Sequence, residues 1–366
     1  MFRVFTIMMS GLLIWGSTRA QTKGGLAAEL DSAFAGMMHE NGPGGSVFIQ
    51  SGDKTLYKKS FGLADLGTNE RFTESTVSNL GSISKTFIGY GILLLCDEGI
   101  LSLEDSLVKF FPDFRNRAIA GRITLRHLLT HTSGLPDSRP VDRDSVFYLT
   151  ANDEQNFAPL KLSDTLEFEP GSRWNYSNPA FNGLALVIEK VSGMKWQKFI
   201  QERIFKPAGM TSSVITDGAF PSKGVAHGYK KVEGKFQEYD FGEYPTFCAA
   251  GNGGVWSSIE DLAKYYKAIK SASFISKKSV AFSHTLWVPP NWADSIPPQN
   301  GVSWFVSDTG GEFHQRHVYH TGHQAGFIAY FDMFPDRELL MIIELNTEED
   351  LDRSVVLRIL HRHGFL

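Results

Sequence analysis

The chain has 366 residues, 42% of them hydrophobic and 21% charged. That is a globular composition, with too much apolar content for disorder. Its 36 basic and 40 acidic side chains give a net charge of −4, with no basic excess to neutralise phosphates, so nucleic acid is excluded as an expected partner. Two cysteines exclude a disulfide-rich scaffold and a cysteine-based zinc module.

Residues 1–20, MFRVFTIMMSGLLIWGSTRA, read as a secretory signal peptide. Arg3 supplies the positive start, an apolar run follows from Val4 to Gly16, and the small residues Thr18 and Ala20 stand at the −3 and −1 positions of a cut before Gln21. The run is shorter than the ~20 residues a spanning helix needs, and no later segment is long and apolar enough to span. The expectation is a periplasmic or secreted mature chain, 21–366, without a membrane span. Its one sequon, Asn175-Tyr176-Ser177, lies at the site argued below, which favours a bacterial periplasm over a glycosylating route. Cys96, inside the apolar run GYGILLLCDEGIL, reads as a buried free thiol, although pairing with Cys248 stays open.

In chain order, residues 25–40 carry helical periodicity, with Leu26, Leu30, Phe34 and Met37 or Met38 on one face. Gly42-Pro43-Gly44 stops that helix. Ser46–Gln50 and Thr55–Phe61 predict two strands around a Ser51-Gly52-Asp53 turn. Helices are predicted over Ser82–Glu98, Leu125–Leu129, Pro179–Val191, Trp196–Phe205 and Ile259–Ile269. The last hundred residues change character: strands over Val302–Val306, Gly326–Met333 and Leu339–Leu345, then a closing helix over Glu348–His361. A sheet built from both ends of the chain, with helices inserted between, accommodates this order.

The segment that carries chemistry is Gly81-Ser82-Ile83-Ser84-Lys85-Thr86-Phe87, an S-x-x-K pattern opening an apolar helix. Residues three apart share a helix face, and side chains lean toward the N-terminus, so Lys85 points back at Ser82. A serine hydroxyl needs a base to become a nucleophile, and a desolvated lysine is one. The free N–H groups and positive dipole end of the helix favour a developing oxyanion. Alone the pattern is weak, because a helix-capping serine gives the same letters. Two further motifs follow: Tyr176-Ser177-Asn178 and His320-Thr321-Gly322.

In this order the three motifs resemble the serine β-lactamase and penicillin-binding-protein superfamily, in its class C β-lactamase-like branch, with S-x-x-K, Y-x-N and then K-T-G or H-x-G. Residues 123–136, ITLRHLLTHTSGLP, and 250–258, AGNGGVWSS, are similar to further segments of that branch, and the resemblance spans roughly 25–365. It implies an α/β (α+β) β-lactamase/transpeptidase-like fold: an antiparallel sheet flanked by helices, plus an inserted mainly helical region. The implied division is one catalytic unit, with an α/β part at about 21–78 and 270–366 and the helical part at about 79–269. It implies Ser82 as the acylated nucleophile, Lys85 as its proton acceptor and Tyr176 as the proton relay that activates the deacylating water. Asn178 would orient the lysine and contact substrate, with His320, Thr321 and Gly322 lining the substrate, and the backbone N–H groups of Ser82 and His323 forming the oxyanion hole. A cation beside Tyr176 would favour its tyrosinate, and Lys85 is the cation at hand.

His320 departs from the lysine of K-T-G. A mostly neutral imidazole with one N–H grips a carboxylate less well than an ammonium. The expectation is therefore an ester- or amide-cleaving serine hydrolase acting on a small molecule or short peptide without cofactor. The alternatives are a true β-lactamase or D-amino-acid/DD-peptidase, or a slow-acylating or non-catalytic muropeptide sensor. His314, His317, His320 and His323 recur every third residue, but strand neighbours three apart face opposite sides, so no metal site is expected. His127 and His131 read as structural. The glycine-rich 251–254 reads as a tight turn near the site, Glu169 as structural, and the aromatics Tyr239, Phe241, Tyr244 and Phe247 as either a cleft lining or loop packing.

Overall fold

The computed structural model describes residues 25–366 except 142, 145–146, 148–149, 216–223, 240–249, 309–311 and 350. The predicted signal peptide, Cys248, and Phe241, Tyr244 and Phe247 of the aromatic segment lie outside the described residues.

Six strands form one antiparallel sheet: β1 (Gly45–Ser51), β2 (Lys54–Phe61), β3 (Phe305–Ser307), β4 (His317–Gln324), β5 (Phe327–Phe334) and β6 (Leu339–Leu345). Their spatial order is β2-β1-β6-β5-β4-β3, so the N-terminal hairpin pairs with the last strand. Both faces of the sheet are covered, which is why β5 and β6 read as continuous apolar runs and not as alternation.

On one face lie the terminal helices α1 (Leu26–Met37) and α6 (Arg353–Arg362), whose Leu30, Phe34, Val356 and Leu360 pack against Val47, Ile49, Met341 and Ile343. Against the other face lies the helical segment between the strands, joined to Phe48, Ile342, Phe331 and Val318 in one core. Its centre is α2 (Ser84–Asp97), buried from Ser84 through Leu95. A helix apolar on every side has no stable place except inside. Beside it run α3 (Asp153–Lys161), α4 (Asn178–Ser192) and α5 (Ile259–Ser271). Ser177 caps α4 by accepting from the Ala180 N–H, Pro179 sits in its first turn, and Gly193 closes it at φ 69°.

Three predicted elements shift. The strand expected at Val302–Val306 forms over Phe305–Ser307, because the Val302 and Ser303 N–H groups are taken by Ser283 and Leu129 carbonyls and Ser303 adopts φ 60°. The helix over Trp196–Phe205 widens into a π turn at Gln201–Phe205. The closing helix begins at Arg353, where the Asp352 carboxylate caps the Ser354 N–H. Cys96, expected to be buried, is half-buried, and burial raises its thiol pKa to about 11. Among the described residues no helix is long and apolar enough to cross a membrane.

Candidate active site

Ser82 sits in a single 3-10 turn, Gly81–Ile83, that runs directly into α2. Three residues on, the Lys85 side chain folds back so that Nζ lies 2.9 Å from Ser82 Oγ. Nζ also donates to the Asn252 carbonyl at 2.7 Å. The serine is half-buried and reachable; the lysine is fully buried. Burial, with the Arg139 guanidinium adding to it, pushes the Lys85 pKa well below the ordinary lysine value. The rings of Tyr176 and Phe181, 5.1 and 5.7 Å from Nζ, would favour an ammonium, but contacts of ~0.5–2 kcal/mol do not offset loss of hydration.

Tyr176 faces the same serine hydroxyl, which acts to lower the phenol's pKa. Burial outweighs it, and the phenol stays above its usual range. The tyrosinate expected beside a lysine cation is therefore opposed: burial disfavours the Lys85 ammonium and, more directly, keeps the Tyr176 phenol protonated. Its ring stacks at 4.3 Å on His131, a residue the sequence reading left as structural. His131 Nδ1 accepts from the Ser177 N–H at 3.0 Å, so its ring proton is on Nε2, and burial holds the imidazole neutral.

The far wall is β4. Side chains alternate along it: Val318, His320, Gly322 and Gln324 point inward, while His317 and His323 point to the other side. His317 there bonds Asp332 at 2.7 Å. His320 is buried, and desolvation with nearby Lys85 lowers its pKa to about 3. Its Nδ1–H is spent on the Thr321 carbonyl at 2.7 Å. The neutral imidazole expected at this position is present, and its one N–H is already used. Phe305 covers the ring at 5.2 Å.

β3 pairs only with His317–Tyr319, so among the described residues the edge of β4 from His320 to Gln324 has no strand beside it. Its backbone instead lies on the turn before the nucleophile. A Cβ on Gly322 would come within 1.8 Å of the Leu80 carbonyl oxygen, and one on Gly81, at φ 49°, within 2.7 Å of the His323 nitrogen. Neither contact has a flexible end to yield. Gly322→Ala is expected to cost more than the ~1–3 kcal/mol of ordinary overpacking, visible as a lowered melting temperature together with slower labelling of Ser82. Unchanged melting and labelling would count against this close approach.

Among the described residues no hydrogen bond joins Asn178 to the lysine. Asn178 opens α4 behind the Ser177 cap, and the second partner of Lys85 is the Asn252 carbonyl, not the Asn178 amide that the resemblance implies. That carbonyl belongs to the predicted turn, which folds through Gly253 and Gly254 N–H bonds to the Ala250 carbonyl. Asn79 ties this turn to the nucleophile, donating to the Gly253 carbonyl and accepting from the Gly81 N–H. Arg139, held by Asp137 and Asn156, lies near enough for its charge to act on Lys85. Asn79, His131, Arg139 and Asn252 were not read as site residues; only the position of His131 and Asn252 inside the two long signature segments marked them.

A family model described as Beta-lactamase matches residues 30–363. Penicillin-binding protein 4* of Bacillus subtilis is 31% identical over 326 residues, covering 84% of this chain and 69% of the relative. The octameric penicillin-binding protein homologue from Pyrococcus abyssi superposes with a TM-score of 0.76 at 26% identity, over 88% of this chain and 74% of that one. A D-stereospecific amidohydrolase from Streptomyces superposes at 0.74 and 23% identity, over 90% and 97%, a likeness of fold. The β-lactamase/transpeptidase-like fold expected from the motifs is thus the one observed. With its S-x-x-K serine and lysine in contact beside a β-edge, and with the match running over nearly its whole described length, the chain belongs to the beta-lactamase family, within the serine β-lactamase and penicillin-binding-protein superfamily.

Proposed function

We propose that this protein is an exported serine acyl hydrolase that opens an ester or amide through an acyl-enzyme on Ser82. The observation that carries the reading is the 2.9 Å approach of a buried, neutral-leaning Lys85 to Ser82 Oγ. In acylation Lys85 Nζ takes the hydroxyl proton as Oγ attacks the substrate carbonyl. The N–H groups of Ser82 and His323 receive the oxyanion. The neutral Tyr176 O–H passes a proton to the leaving group, then draws one from the water that releases the acyl group, while Lys85 returns its proton to Ser82 Oγ as the acyl–oxygen bond breaks. The N-terminal segment supports export to the periplasm or medium.

The substrate proposed is an ester or amide with no carboxylate at the β4 side. His320 is uncharged, its N–H is engaged, and the rings of Trp174, Tyr176 and Phe305 stand 6.2–6.4 Å apart beside it. A panel of p-nitrophenyl esters, D-amino-acid amides and a chromogenic cephalosporin, run on wild type and Ser82→Ala, tests this. Ester or amide turnover lost in the mutant is expected; stoichiometric labelling without turnover would point to a sensor. His320→Lys is expected to raise cephalosporin turnover roughly 10-fold or more, since a charge-assisted bond contributes ~1.5–3 kcal/mol. No gain would contradict the assignment of specificity to His320.

A further inference from the structure

The carbonyl that holds Lys85 is itself held by a buried carboxylate that the reaction above does not use. Asp153, the first residue of α3, is 7% exposed and accepts three hydrogen bonds. Its Oδ1 takes the Asn182 amide at 2.7 Å and the Gly251 N–H at 2.8 Å, and its Oδ2 takes the Trp196 indole N–H at 2.7 Å. Asn182, fully buried on α4, turns its other amide proton to Asn252 Oδ1 at 3.1 Å. Asn252 then offers its carbonyl to Lys85 Nζ at 2.7 Å.

The arrangement is set by the carboxylate. Both amide protons of Asn182 are used, and its own Oδ1 is left buried without a partner, an orientation that an acceptor at Asp153 imposes. The turn has no slack, since a Cβ on Gly251 would come within 2.7 Å of Ala185 Cβ and 3.0 Å of the Phe181 carbonyl oxygen.

We propose that Asp153 is a positioning residue for proton transfer: it fixes the Gly251-Asn252 backbone, whose carbonyl holds Lys85 Nζ against Ser82 Oγ. This rests on reading Lys85 as the proton acceptor. Burial raises the Asp153 pKa to about 7 while its three donors act to lower it, consistent with a group kept for its acceptor oxygens. Asp153 touches no substrate, so its loss slows acylation without weakening binding.

The test compares Asp153→Ala with Asp153→Asn in the full chain, with active sites counted by titration so that misfolded protein does not enter the rate. The asparagine keeps an oxygen for Gly251 and Asn182. For p-nitrophenyl ester hydrolysis, Asp153→Ala should lower kcat per site by roughly 10–100-fold, the scale of a ~1 Å misplacement, with KM within about threefold. Asp153→Asn should recover to within about fivefold of wild type. Independently of turnover, the Cε resonance of Lys85 in lysine-labelled protein should move in Asp153→Ala and stay in Asp153→Asn. A kcat within twofold of wild type in Asp153→Ala, or an unmoved Lys85 resonance, overturns the proposal. If the wild type turns over neither ester nor amide and takes no label on Ser82, the Ser82 reading fails, and the Lys85 resonance still decides the role of Asp153. Should Asp153→Ala not fold, Asn182→Ala cuts the arm from Asp153 through Asn182 to Asn252 while leaving the Gly251 bond, so a smaller fall in kcat with a moved Lys85 resonance is expected, and an unmoved resonance overturns the proposal.

Discussion

Replacing Ser82 by alanine is expected to lower ester or amide hydrolysis by at least ~10⁴-fold, the scale on which removing a nucleophile acts when the rest of a site is intact. The fold should survive. Ser82 is half-buried, its hydroxyl meets, among the described residues, only Lys85 and Tyr176, and Lys85 keeps its bond to the Asn252 carbonyl. The melting temperature should therefore stay within a few degrees of wild type. Steady-state kinetics with thermal melts on one preparation checks both halves. Residual activity above a hundredth of wild type, with no contaminating esterase, would contradict Ser82 as nucleophile.

Lys85→Met should be nearly as severe, lowering acylation by roughly 10³-fold or more, because a general base contributes ~10²–10⁴ and also positions its partner. The same change should leave stability unchanged or raised. The unfolded chain holds the lysine proton up to about pH 10.4, whereas in the folded protein burial favours its release well below that. The unfolded state thus binds more protons over that range, so stability rises with pH, and burying Lys85 costs stability at every pH below the unfolded value. Methionine removes that cost and fills similar space. Lys85→Arg keeps a charge that cannot be shed and should be both inactive and less stable. For the wild type, the acid limb of the acylation rate should fall well below the pH at which an exposed lysine deprotonates. Activity in Lys85→Met within a few-fold of wild type, or a limb near pH 10, would contradict this role.

Much of the site was legible because its first contact is local. Ser82 and Lys85 are three residues apart on one helix, and helical period alone brings them together. The alternation along β4 likewise followed from strand geometry, which put His317 and His323 away from His320. The sheet was legible at both ends of the chain, since β1, β5 and β6 are apolar runs and β2 follows β1 across the Ser51-Gly52-Asp53 turn.

What was missed depends on distance in sequence. Lys85 meets Asn252 across 167 residues, Asn182 meets Asn252 across 70, and Gly251 meets Asp153 across 98. Nothing local to any of them marks the meeting. The protonation of Tyr176 was misjudged for a related reason. Motif spacing supplies a lysine beside it, but whether that lysine carries charge is decided by burial under α4 and the 250–254 turn.

The most direct measurement is peptide mapping by mass spectrometry after brief exposure of the purified protein to a fluorophosphonate or an activated ester. A single adduct on the peptide carrying Ser82, formed in wild type and absent from Ser82→Ala and strongly slowed in Lys85→Met, is the expected result. An adduct on another residue, or none at any time, would contradict an acyl-enzyme on Ser82.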